Sequence, residues 1–152
     1  MTLLVKIAPG NDHDRVTGLR LTATAALSAG VLLTACSRGG PPEVVLATSR
    51  VVPDNAVSAS ATGPAAAWAA DGALELVTWW SGYCPHLPTS VEADGANRVR
   101  VKTKEWHPPG SNGCSADMSP TTSTVRVPDG VDVTRPVTVT IDGQAVTLPP
   151  AP

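Results

Sequence analysis

Hydrophobic and polar residues alternate with a period of two over much of the second half of the chain. In the stretch NRVRVKTKEW, Val99, Val101 and Thr103 share one face, while basic residues occupy the other. Because successive side chains of a β-strand point to opposite faces, this pattern predicts a strand with one buried face. The β-branched run TSTVRVP at 122–128 predicts a further strand.

Two Asp-Gly pairs separate apolar runs and predict β-hairpins. Asp71 and Gly72 lie within AAWAADGALELVTWW, and Asp142 and Gly143 lie within VTVTIDGQAVTL. Asp-Gly is favoured in two-residue hairpin turns, whose central residues adopt positive φ angles. No long stretch shows a helical period. Six or seven short strands predict an all-β fold, a small antiparallel immunoglobulin-like sandwich or barrel.

A third hairpin is predicted around the loop Gly95, Ala96 and Asn97. With this three-residue loop, apolar residues face apolar residues across the pair and charged residues face charged ones, whereas a two-residue loop would mix the faces. The register predicts four opposed pairs: Asp94 and Arg98, Ala93 and Val99, Glu92 and Arg100, and Val91 and Val101.

The uncharged segment LTATAALSAGVLLTA at 21–35 follows Arg15 and Arg20. It is too short to span a bilayer comfortably, since a membrane helix needs about 20 apolar residues. A positive flank, a short apolar run and a small-residue site are typical of a secretory signal. We therefore expect residues 1–35 to be a signal peptide.

The last four residues of this region, LTAC, end at Cys36 and resemble a bacterial lipobox. The resemblance implies that Cys36 carries a diacylglyceryl thioether and becomes the mature N-terminus, anchored to the outer face of the cytoplasmic membrane. Residues 36–63 are rich in Gly, Pro, Ser and Ala and predict a flexible tether, followed by the β-domain at 64–152. Within this segment, the apolar run EVVLATSRVV at 43–52 is compatible either with an early strand or with part of the tether.

A lipidated Cys36 leaves two cysteines, Cys84 and Cys114. In an exported domain such a pair is expected to form a disulfide. The alternative is a metal site made of Cys84, His86, His107 and Cys114. Its spacing is not that of a standard zinc finger, so the disulfide is favoured and no metal or cofactor is predicted.

Eight Lys and Arg residues and eleven Asp and Glu residues follow Cys36, a formal charge of −3. This balance argues against a nucleic-acid partner. The predicted strand at 98–104 nevertheless carries a basic stripe, which is a candidate surface for anionic wall polymers or lipid head groups. The stripe consists of Arg98, Arg100, Lys102 and Lys104. The alternative is a solvated strand face whose charges meet Glu92 and Asp94 across the hairpin.

Two adjacent tryptophans, Trp79 and Trp80, must point to opposite faces of one strand. We expect Trp79 to face the core, because Val77 shares its face, and Trp80 to be mostly buried as well. The alternative is that Trp80 and Tyr83 form an exposed platform for a carbohydrate ligand.

No catalytic set is apparent. The mature chain has two histidines and no G-x-S-x-G motif. We therefore expect a non-enzymatic protein that acts in binding or envelope assembly, with an envelope protein or wall polymer as its partner. The alternative is a lipoprotein that handles metal or binds cell-wall polymer.

The stretch from 79 to 131 carries three motifs. They are W-x-S-x-x-C-P-x-x-P-T at 79–89, C-x-x-D-x-x-P-T-T at 114–122, and P-x-G-V at 128–131. Together they resemble a group of uncharacterised actinobacterial secreted lipoproteins. The resemblance implies a small disulfide-bonded β-domain in a secreted protein and carries no known activity.

The anchor is tested by Cys36→Ser. Because a serine hydroxyl does not accept the diacylglyceryl group and two acyl chains are what makes anchoring stable, the variant should leave the membrane fraction or remain as precursor. Fractionation with a radiolabelled fatty acid measures this. A Ser variant that still carried the label in membranes would contradict the assignment.

Overall fold

The computed structural model describes residues 39–152, which form nine β-strands and no helix. The strands are β1 (Val45–Ser49), β2 (Val57–Ser58), β3 (Ala65–Trp68), β4 (Leu74–Trp80), β5 (His86–Ala93), β6 (Arg98–Glu105), β7 (Ser119–Val125), β8 (Val137–Ile141) and β9 (Gln144–Leu148). No helix in this part of the chain has the length and apolarity needed to cross a membrane. The predicted signal peptide and Cys36 lie outside the described residues.

The strands form two sheets, with orders β1-β7-β4-β3-β2 and β5-β6-β8-β9. Their facing sides supply the core, in which Leu74 and Leu76 of β4 lie against a layer that includes Val99 and Val101 of β6. These four side chains are at most 1% exposed, so the alternating pattern of the sequence becomes burial of one face. The predicted all-β sandwich is confirmed.

One strand pair departs from the predicted antiparallel arrangement. Strands β6 and β8 are parallel, with Val99 opposite Val139 and Val101 opposite Ile141. Parallel neighbours need a crossover connection. Here the crossover contains β7, which belongs to the five-stranded sheet. The chain then returns to the four-stranded sheet, where β8 runs in the same direction as β6.

The predicted hairpins are confirmed. Strands β3 and β4 are joined through Gly72, which has a φ of 80°. Strands β8 and β9 are joined by Asp142 and Gly143, with φ angles of 46° and 86°, as a type I′ turn requires.

The third hairpin also has the predicted register. Val91 lies opposite Val101, and Glu92 lies opposite Arg100. At the loop, the Asp94 amide donates a 2.8 Å hydrogen bond to the Arg98 carbonyl. The pairing keeps the apolar residues of both strands on one side.

The segment predicted as a flexible tether differs from the structure over residues 39–63. Strand β1 pairs with β7, and β2 pairs with β3. Glycine, proline and serine form turns here. The Val45 amide donates a 2.9 Å hydrogen bond to the Pro42 carbonyl, and the Ala56 amide donates a 3.0 Å hydrogen bond to the Pro53 carbonyl. Strand β1 lies in the run 43–52, where the sequence was compatible with an early strand. Elsewhere in the segment a composition rich in Gly, Pro and Ser serves tight turns as well as flexible chain, so composition alone did not predict the pairing.

The chain between β1 and β2 crosses the outer face of the five-stranded sheet. The two strands lie at opposite edges of that sheet, and its inner face is occupied by the second sheet. The Thr122 hydroxyl bonds the Val51 carbonyl at 2.7 Å, and the Asn55 side-chain amide bonds the Trp68 carbonyl at 3.0 Å. We name residues 50–56 the crossing segment.

The crossing segment explains why the sheet is buried on both sides. Ala65, Ala67 and Val77 point away from the inner core, yet they are at most 2% exposed. A small apolar face of this kind is unfavourable in water, and its cover stabilises the fold at about 25 cal/mol per Å² buried. The N-terminal segment is therefore part of the domain.

Candidate functional site

The chemically distinctive residues gather at one end of the sandwich, which we name the disulfide end. Here β4 and β6 finish, β5 and β7 begin, and the loops 81–85 and 106–118 meet. These strand ends are paired: His86 of β5 lies opposite Glu105 of β6, and Trp80 of β4 lies opposite Ser119 of β7.

Cys84 and Cys114 form a disulfide across this end, as predicted. The two residues are 30 positions apart, and their Cα atoms are separated by 5.3 Å. Cys84 is buried and Cys114 is exposed. Closing a loop of this length stabilises the fold by about 3–4 kcal/mol on the chain-entropy model.

Ser81 organises the loop that carries Cys84. Its hydroxyl accepts hydrogen bonds from the amides of Tyr83 and Cys84, each at 3.2 Å. The same hydroxyl lies 3.0 Å from the Ser115 hydroxyl, in the loop that carries Cys114. The serine of the W-x-S-x-x-C motif therefore fixes the turn and joins the two cysteine loops.

Asp117, the acid of the C-x-x-D motif, makes a second connection between these loops. Its Oδ1 accepts a 3.2 Å hydrogen bond from the Gly82 amide, and its other oxygen accepts one from the Ser119 hydroxyl. A Cβ atom at Gly82 would overlap this carboxylate, which accounts for glycine there. Hydrogen bonds from Ser115, Ser119 and the Gly82 amide lower the pKa of Asp117 to about 2.

His107 lies over the disulfide. Its Nδ1 is 3.7 Å from the Cys84 sulfur and 3.8 Å from that of Cys114, while its Nε2 lies 2.7 Å from a Glu105 oxygen. Potential ligand atoms of Cys84, His107 and Cys114 all lie within 4.8 Å of one another. In the disulfide the two sulfurs are bonded to each other, so neither is the thiolate that a metal such as zinc takes as a ligand.

The structure does not bring His86 into that cluster. His86 is the first residue of β5 and is half-buried, with its Nδ1 3.2 Å from the Thr103 hydroxyl and its ring 4.4 Å from the ring of Trp80. The residue that stands beside His107 is Glu105, which sequence reasoning missed. The spacing Glu-x-His at the end of a strand could have indicated that Glu105 lies beside His107, because residues two apart share a face.

Glu105 also contacts Trp80. The Trp80 indole donates a 2.7 Å hydrogen bond to Glu105 Oε2, and this bond is the largest cause of the lowered pKa of Glu105. The charge and hydrogen bond of His107 lower the pKa further, against an opposing effect of desolvation. The Trp80 ring therefore lies between the Glu105 carboxylate, which accepts its hydrogen bond, and the His86 ring.

Both tryptophans are exposed at this end, so the expectations of a core Trp79 and a mostly buried Trp80 were wrong. Trp79 is 36% exposed and Trp80 is 41% exposed. Strand β3 pairs with β4 only as far as Val77, which lies opposite Ala65. The last residues of β4 therefore run past their neighbour and leave the covered part of the sheet.

Tyr83 is 49% exposed, but it lines a different surface from Trp80. A groove of about 530 Å³ is bordered by Tyr83, Arg50, Ser115 and Asp117 and does not include Trp80. The predicted two-residue platform is therefore not one ligand cavity, and each aromatic ring is presented separately.

The basic stripe lies on the outer face of β6, with all four side chains exposed. Arg100 pairs with Asp94 at 2.8 Å, diagonally across the hairpin, and Arg98 Nε donates to the Asp94 carbonyl at 3.0 Å. Lys102 and Lys104 make no ion pair with any residue in 39–152. Of the expected ion pairs between the stripe and the facing acids, one therefore forms, at the end of the stripe that carries Arg98 and Arg100.

No protein-family model matches the chain, and no curated protein or solved structure matches it either.

The role of Asp117 predicts a pH dependence of stability. Its folded pKa of about 2 lies below its ordinary value of 3.8, so its ionised form favours the folded state. The wild type should therefore be more stable than Asp117→Asn at neutral pH, and this difference should shrink as pH falls from about 4 to about 2. Urea denaturation at a series of pH values measures it.

Asp129→Asn is the matched control, because Asp129 is an exposed acid in a loop outside the disulfide end. It should follow the wild type across the series. A difference between wild type and Asp117→Asn that stayed constant down to about pH 2 would contradict the role of the carboxylate.

Proposed function

We propose that the protein is a lipid-anchored extracytoplasmic domain with a non-enzymatic binding role in the cell envelope. The lipobox ending at Cys36 supports the anchor. The disulfide between Cys84 and Cys114 supports an oxidising compartment, because such bonds persist outside the cytosol.

The proposed ligand is an anionic polymer of the envelope, and the proposed surface is the outer face of the four-stranded sheet. The observation that carries this is the pair Lys102 and Lys104, exposed and without an ion pair in the described domain. Residues two apart on a strand are about 6.6 Å apart, so the stripe is a row of cations about 20 Å long.

The neighbouring strand complements this row with hydroxyl groups. Thr138 and Thr140 of β8 lie opposite Arg98 and Arg100, and so share their face. A row of cations beside a row of hydroxyls suits a linear chain of phosphate or carboxylate groups, which accept hydrogen bonds from both. Affinity of this kind depends mainly on charge and weakens as salt is added.

Metal handling has weaker support. The cluster of Cys84, His107 and Cys114 is the observation that favours it, but both sulfurs are engaged in the disulfide. Thiolate ligands would first require reduction by a dithiol, and this makes polymer binding the better candidate.

The double variant Lys102→Gln/Lys104→Gln tests the polymer proposal. With poly(glycerol phosphate) as the probe at low salt, we expect binding about tenfold weaker than that of the wild type, because two exposed cations contribute roughly 0.7 kcal/mol each. Raising the salt should weaken wild-type binding toward that of the variant.

The matched control is Arg126→Gln/Arg135→Gln, which removes two exposed cations outside the stripe. This control should bind nearly as the wild type does. Equal losses in the two double variants would show that only net charge matters, and an unchanged Kd in the stripe variant would contradict the proposed surface.

A further inference from the structure

Large exposed apolar side chains are concentrated at the disulfide end. Trp79, Trp80 and Tyr83 follow one another near the end of β4, and Met118, just before β7, is 70% exposed. Exposed apolar side chains gathered at one end of a domain are typical of a surface that contacts a partner or a membrane. The aromatic rings combine an apolar body with a polar edge, which suits the boundary between lipid and water.

The chain enters the domain at this same end. The Trp106 indole donates a 3.2 Å hydrogen bond to the Gly40 carbonyl, and Trp106 directly follows β6. A Cβ atom at Gly39 would lie 3.6 Å from Pro109, so the first described residues pass beside the loop that leads to Cys114.

The distance between this entry point and the proposed lipid is short. Cys36 precedes Gly39 by three residues, and an extended chain spans at most about 3.6 Å per residue, or roughly 11 Å here. The predicted tether would have lifted the domain off the membrane. Because its residues from 39 onward belong to the sandwich, the lipid holds the disulfide end close to the bilayer.

We propose that the disulfide end rests on the membrane, with Trp80, Tyr83 and Met118 in the head-group layer. This inference rests on the proposed acylation of Cys36. Strand β6 runs from Arg98 at the far end to Glu105 at the disulfide end. The basic stripe therefore runs from Lys104 beside the disulfide end to Arg98 at the end away from the bilayer.

The test uses the acylated full-length protein in vesicles of phosphatidylcholine and phosphatidylglycerol with brominated acyl chains, and mass spectrometry to confirm the lipid. Bromine quenches tryptophan fluorescence at short range, so the total emission of the four tryptophans should be strongly quenched, mainly through Trp80 and its neighbour Trp79. A helical (EAAAK)4 spacer inserted after Cys36 is about 30 Å long if fully helical and should reduce the quenching by more than half.

The control for the spacer carries the same twenty residues after Pro152. This terminus lies at the far end, since the Ala151 amide bonds the Val133 carbonyl and the Asn97 side chain bonds the Asp132 carbonyl. The control should be quenched as the wild type is.

A second pair of variants tests the patch without changing the spacer. Met118→Glu places a charge at the disulfide end and should reduce quenching, whereas Leu46→Glu changes an exposed leucine on β1 and should not. An acylated protein whose quenching is absent, or is unaffected by both the spacer and Met118→Glu, would overturn the membrane contact alone. A protein that carries no acyl chain would overturn this inference and the proposed anchor together.

Discussion

The cover that the crossing segment provides over the outer face of β3 and β4 is the constraint on which the rest of the structure depends. The sandwich has the usual two inner faces, but Ala65, Ala67 and Val77 form a further apolar layer on the outside of one sheet. The crossing segment covers that layer because it runs from β1 at one edge of the sheet to β2 at the other. Arg50, at the start of the crossing, also bonds the Gly82 carbonyl and the Thr121 hydroxyl. The N-terminal segment thus connects the sheet to the disulfide end.

The loops of the disulfide end are held together by side-chain hydrogen bonds and a covalent bond. These loops contain no regular strand pairing, so their polar groups are satisfied by side chains: Ser81 and Asp117 each accept backbone amides from the Cys84 loop. The covalent bond to Cys114 closes the same unit. These contacts give the motif residues a structural explanation, and they fix the loop that carries Tyr83 and follows Trp80.

Local patterns predicted the parts of this fold that depend on local physics. The alternation at 98–104, the turns at Gly72 and Gly143, and the register of Val91 against Val101 follow from the period of a strand and the geometry of a turn. The cysteine count predicted the disulfide. The failures involve long-range partners: the crossing segment needs a face contributed by other strands, and the exposure of Trp79 depends on where the neighbouring strand stops.

Hydrogen exchange of the N-terminal segment tests the central claim most directly. Peptides covering residues 45–58 in the full-length protein should contain slowly exchanging amides, because β1 and β2 are hydrogen-bonded to β7 and β3. Their protection should be lost together with that of 119–125 as denaturant is added. If 45–58 exchanged at the rate of an unstructured chain while 74–80 stayed protected, the segment would be a tether, and the account of the covered face and the short membrane spacer would be wrong.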